Sequence, residues 1–199
     1  MLEKANELGL GQGESDDNKM SIYYAKRMVE MFDIWHNIFS DDTDRIIRVL
    51  GGFIAHASKS DMMLNYENTA SKVDVLAFAI YFGGYLGYPE VESTVQDWNL
   101  DQLFNELNNG GLTNDEAQNG AMPEIFAYID NHVTVANNFD LDLITYEGGQ
   151  HLCPIGTVEG NTNSSGGREG IEVAQKKRKI NFEPKERGLV MLGFIHPIS

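Results

Sequence analysis

The chain of 199 residues has a single cysteine, Cys153, which excludes an intrachain disulfide and any zinc site built from cysteines. Its five histidines, His36, His56, His132, His151 and His196, show no His-x-x-x-His or other ligand spacing, so no metal is expected, and no cofactor either. Basic side chains are scarce: 15 Lys and Arg stand against 30 Asp and Glu, a formal net charge of −15. Such a surface repels phosphate backbones, which argues against a nucleic-acid partner. The imbalance is uneven, with 8 basic against 25 acidic residues in 1–150 and 7 against 5 in 151–199. The one basic run, Lys176-Lys-Arg-Lys179, reads as a solvated face. Uninterrupted apolar runs fall short of the roughly 18 residues that a membrane helix needs, so no membrane partner is expected. The opening Met1-Leu-Glu-Lys-Ala-Asn-Glu7 lacks the basic and apolar regions of an export signal.

What is present is enough to fold. The chain is 42% hydrophobic and 10% aromatic, as in globular domains. It has the length of one domain, but falls short of the roughly 250 residues of a complete eight-stranded α/β barrel. Residues 1–20 are polar and glycine-rich and read as a loop or tail. Ser21 then serves as the expected cap of a helix to about Ile38, with Ile22, Ala25, Met28, Val29, Phe32, Trp35, His36 and Phe39 along one stripe. That aromatic stripe reads as core.

Residues 45–52 follow as a short β-branched strand ending at Gly51-Gly52, and 53–70 as a helix. Residues 73–84 are nearly continuous apolar sequence, expected of a parallel strand covered on both faces, and again finish in Gly-Gly. Helical patterns recur near 95–107 and 115–139, the second interrupted at Pro123. Strands alternating with helices predict a parallel α/β sheet. Beyond His151 the sequence suggests a loop at 156–170, a weak helix at 172–179 and a last strand at 188–195. The expected organisation is a tail at 1–20, an α/β domain at 21–152 and a divergent tail at 153–199.

The stretch around which these elements are arranged is Asp140-Leu-Asp-Leu-Ile-Thr-Tyr-Glu-Gly-Gly-Gln-His151. Leu141, Leu143 and Thr145 alternate with Asp142, Ile144 and Tyr146, a period of two expected to stop at Gly148 and Gly149. In parallel α/β folds the carboxyl ends of the strands hold the chemistry, which makes Glu147 the first candidate. A solvated loop carboxylate before a turn is the competing reading.

Taken in order, Arg45-Ile-Ile-Arg-Val-Leu-Gly-Gly52, Asp74-Val-Leu-Ala-Phe-Ala-Ile-Tyr-Phe82 and Ile144-Thr-Tyr-Glu-Gly-Gly-Gln-His-Leu152 resemble the second half of a bacterial group labelled cellulose- or carbohydrate-binding. That group has a (β/α)8 TIM barrel similar to retaining glycosidases. The resemblance implies a partial barrel, roughly strands 5 to 7 or 8, over about residues 21–152. It places Glu147 in the nucleophile position, with Tyr81 as the tyrosine that hydrogen-bonds it. A retaining glycosidase pairs an ionised nucleophile with a protonated carboxyl about 5 to 5.5 Å away. Tyr146, Gln150, His151, Trp98 and Phe82 are the expected substrate-binding residues, aromatic rings being suited to sugar faces.

The acid/base of that family, an Asn-Glu pair after the fourth strand, is expected upstream of Ser21. Asn6-Glu7 follows no strand, so this chain alone is not expected to hydrolyse. The implied ligand is a polysaccharide or oligosaccharide, and the implied parent is secreted. An open half-barrel needs a missing N-terminal half or self-association to cover its edge. Two alternatives stay open: a carbohydrate-binding module without turnover, and a structural α/β interaction domain.

Overall fold

The computed structural model describes residues 1–112 and 117–152. It is an α/β fold with helices α1 (Leu2–Glu7), α2 (Asp16–Ile38), α3 (Ala57–Asn65), α4 (Pro89–Val95), α5 (Leu100–Asn109) and α6 (Ala121–Asn138). The strands are β1 (Val49–Gly51), β2 (Val75–Phe82) and β3 (Asp142–Gln150), in an open three-stranded parallel sheet of order β1-β2-β3 with helices between successive strands. Two compact units divide the chain: Met1–Ile80 with Phe126–Glu147, and Tyr81–Ile125 with Gly148 onward.

In the first unit, residues 1–20 form more structure than their polarity suggests. They contain α1, whose Ala5 is buried, and the start of α2. The cap of α2 is Ser15 in place of the expected Ser21: its hydroxyl accepts the Asn18 N–H at 3.2 Å, and Asp16 and Asp17 sit at the positive end of the helix dipole. Ser21 lies inside the helix and donates to the Asp17 carbonyl at 3.0 Å.

The first strand is shorter than expected because residues 43–45 close a 3-10 turn; β1 pairs with β2 in parallel, Val49 with Val75 and Gly51 with Ala77. Arg48 holds this register. Its backbone N–H and guanidinium both donate to the Asp74 carboxylate, at 2.7, 2.9 and 2.5 Å. The guanidinium keeps the Asp74 pKa below the usual carboxylate range. The helix expected at 53–70 spans only α3, because Glu67 adopts a left-handed backbone (φ 49°) that no helix continues through.

Leu50 and Leu76 turn to the helix-covered face and pack with Ala25, Phe32, Met63, Leu64, Val73 and Val135, the core of this unit. Leu141 and Leu143 pack on the same cluster. Pro123 does not interrupt α6. It lies in the first turn, where its missing N–H costs no helical hydrogen bond.

The second unit buries Tyr85, Leu86, Val91, Val95, Leu103, Leu107 and Leu152. The helix expected near 95–107 is two helices. Asn99 restarts the chain as a capping box: its side chain accepts the Gln102 N–H at 2.9 Å and its own N–H donates to Gln102 at 3.0 Å. Gly83 turns the chain after β2 with φ 77°, and a Cβ there would stand 2.9 Å from a Leu152 methyl, so both backbone and packing require glycine. The expected elements at 156–170, 172–179 and 188–195, and the expected helix start at 115, lie outside the described residues.

Candidate functional site

The carboxyl end of β2 carries Tyr81, its penultimate residue. Leu76, Phe78 and Ile80 alternate toward the covered face, which turns Tyr81 the other way and leaves it 42% exposed. His151 follows β3 directly, and its N–H donates to the Phe82 carbonyl at 2.8 Å. That bond sets the exposed imidazole against Tyr81, with ring centroids 5.6 Å apart and planes tilted by 46°. Tyr81, expected beside the nucleophile, and His151, expected at the substrate, are thereby brought together as an exposed aromatic pair. Gln150 spends its side-chain carbonyl on the Leu152 N–H, at 2.9 Å, and so shapes the turn beneath His151. Phe82 departs from expectation: its ring is buried, because the strand alternation that exposes Tyr81 turns its neighbour inward. Trp98 is half-buried at the turn between α4 and α5, with its backbone N–H on the Val95 carbonyl at 3.2 Å.

On β3, Tyr146 is 61% exposed and Glu147 is exposed. The strand continues through Gly148 and Gly149 to Gln150, where it was expected to stop, since glycine can pair in a strand as well as break one. Glu147 is therefore a strand residue and not the first residue of a loop. Leu141 and Leu143 pack on the helix-covered core, so alternation assigns Thr145 and Glu147 to that face and Asp142, Ile144 and Tyr146 to the other. The Thr145 hydroxyl donates to the Glu147 carbonyl at 2.8 Å. Among the described residues, the Glu147 carboxylate has no hydrogen-bond or ion-pair partner.

Three groups escaped the sequence reading. Phe53, two residues after β1, is exposed, with the Lys59 ammonium 5.9 Å from its ring centroid. It lies just past the expected strand end at Gly51-Gly52, but neither the strand pattern nor the resemblance singles it out. Ser60 and His132 are fully buried and bonded at 3.3 Å, and the Phe78 ring packs tilted against the imidazole, with centroids 4.8 Å apart and planes at 56°. Their separation of 72 residues leaves no signal in the sequence. His132 Nδ1 faces the Tyr128 carbonyl at 3.0 Å; a carbonyl only accepts, so Nδ1 carries the proton and Nε2 accepts from the Ser60 hydroxyl. Desolvation lowers the His132 pKa and keeps the ring neutral.

In the second unit the buried Glu106 accepts from the Tyr85 hydroxyl at 3.0 Å and the Leu112 N–H at 3.1 Å. Burial, then the Glu106 charge, pushes the Tyr85 phenol up.

Among the described residues no group of three or more His, Cys, Asp or Glu side chains could hold a metal ion. No helix there is long and apolar enough to cross a membrane. Compared with protein-family models, curated proteins and solved structures, the chain matches none.

Proposed function

We propose that this chain binds carbohydrate at the carboxyl ends of its parallel strands, as part of a barrel-like α/β architecture of which β1, β2 and β3 form successive strands. The observation that carries this reading is the exposed Tyr81–His151 pair. The face of an aromatic ring suits the apolar C–H face of a sugar, while the phenol and imidazole supply edge hydrogen bonds.

Glycoside hydrolysis by Glu147 is the second reading, and it rests on one feature: a carboxylate without a partner among the described residues, near the carboxyl end of a parallel strand. Strand alternation favours binding over turnover, since it turns Tyr146, and not Glu147, away from the helix layer. The two readings separate in a single experiment. Wild type and Glu147→Gln are titrated with soluble polysaccharides by calorimetry and assayed for reducing ends. Binding that survives in Glu147→Gln, and no sugar release by either protein, supports the binding domain. Release by wild type that disappears in Glu147→Gln supports the hydrolase.

A further inference from the structure

The last turns of α2 point a second way. Met31, Ile34, Trp35 and Ile38 repeat at the i, i+3, i+4 and i+7 positions of a helical stripe, yet each is between 40 and 65% exposed. Soluble helices place such a stripe in contact with something. Beside it runs a groove of about 430 Å³ lined by Met28, Met31, Phe32, Trp35, Ile46 and Val49, among others, with Trp35 stacked on Phe39 at 5.7 Å. Methionine and aromatic linings adapt to an inserted apolar side chain.

The surrounding charge selects the partner. The cations close to the stripe are already matched: Lys26 and Arg27 by Glu30, Lys72 by Asp33 and Arg45 by Asp42. Arg45, paired with Asp42, is the one charged side chain that lines the groove itself. Asp44 lines the adjoining hollow that shares Ile46 and Ile47 with it; Asp44 and Asp41, two residues after the groove-lining Phe39, have no ion-pair partner among the described residues, and residues 1–150 carry the acidic excess of the whole chain.

We infer that this face docks a basic amphipathic helix of a partner protein, its apolar side against Met31, Ile34, Trp35 and Ile38 and its Lys and Arg side chains toward Asp41 and Asp44. The helix-in-groove mode supplies the contact and the acidic rim its sign.

The test uses the whole chain and two fluorescently labelled synthetic helices of about 15 residues. They share one leucine stripe at i, i+3, i+4 and i+7, with lysines elsewhere in one and glutamates in the other. Anisotropy should show binding of the lysine helix only, weakened by added salt. The double variant Ile34→Gln, Ile38→Gln replaces two exposed side chains and leaves the core untouched, with the fold checked by circular dichroism; it should bind the lysine helix at least about tenfold more weakly. Equal binding of both helices, no binding of either, or unchanged affinity in the variant overturns the proposal. So does concentration-dependent self-association in sedimentation that the variant abolishes, because the face would then belong to a second copy.

Discussion

Gly52→Ala is a compact test of how the end of β1 is packed. A methyl at residue 52 would stand 2.6 Å from the Ser60 hydroxyl oxygen, well inside contact, while the next neighbours, a Leu76 methyl at 3.7 Å and the Ala77 carbonyl at 3.9 Å, are ordinary distances. Ser60 cannot move without loosening its bond to His132, and both are fully buried. Overpacking of this kind costs about 1–3 kcal/mol. Ser60→Ala alone leaves the His132 Nε2 without its donor, also about 1–3 kcal/mol. In the double variant the clash is gone, so Gly52→Ala should add less than about 0.5 kcal/mol to the cost of Ser60→Ala. Urea denaturation of the four proteins measures this, provided the slopes agree. Costs that add within about 0.5 kcal/mol would refute the packing of Ser60 between Gly52 and His132.

Two further predictions follow from the same structure. Because desolvation holds the His132 pKa below its ordinary 6.5, the unfolded chain takes up this proton first. The contribution is therefore complete above pH 6.5 and is lost as the pH falls from 6.5 through the folded-state value; His132→Gln should flatten that part of a stability–pH profile measured by urea denaturation. Asp140 closes α6 in the left-handed region, with φ 56°, and the Leu141 N–H returns to the Ala136 carbonyl at 3.0 Å. Glycine adopts that conformation without strain, so Asp140→Gly should raise stability by about 0.5–1 kcal/mol in thermal or urea unfolding, and a loss of stability would contradict the reading of this cap.

The alternation of strands and helices was legible because the patterns behind it are local: the apolar run of β2, the period of two in β3 and the stripe on α2. Their ends were less so, since ends depend on single hydrogen bonds. Ser15 and Ser21 are equally good caps on paper, and only the Asn18 N–H decides between them. The break between α4 and α5 depends on the reciprocal bonds of Asn99 and Gln102, a signature the sequence carries but which the continuous apolar pattern outweighed.

At the candidate site, Tyr81 and His151 lie 70 residues apart, and what joins them is the backbone bond from His151 to Phe82. The burial of Phe82 follows from the same strand period that exposes Tyr81. Gly148-Gly149 misled in the opposite direction: paired glycines ended two strands and were carried within the third. The Ser60–His132 bond had no local signal, because it joins α3 to α6 across the core.

The most direct measurement is the affinity of the intact chain for soluble polysaccharides, such as hydroxyethylcellulose, xylan and mixed-linkage glucan, by affinity electrophoresis, for wild type and for Tyr81→Ala and His151→Ala. The account predicts retardation of the wild type by at least one of them, and at least about a tenfold loss of affinity, about 1.4 kcal/mol, in each variant with folding unchanged. No retardation by any polysaccharide, or equal retardation of wild type and both variants, would contradict it.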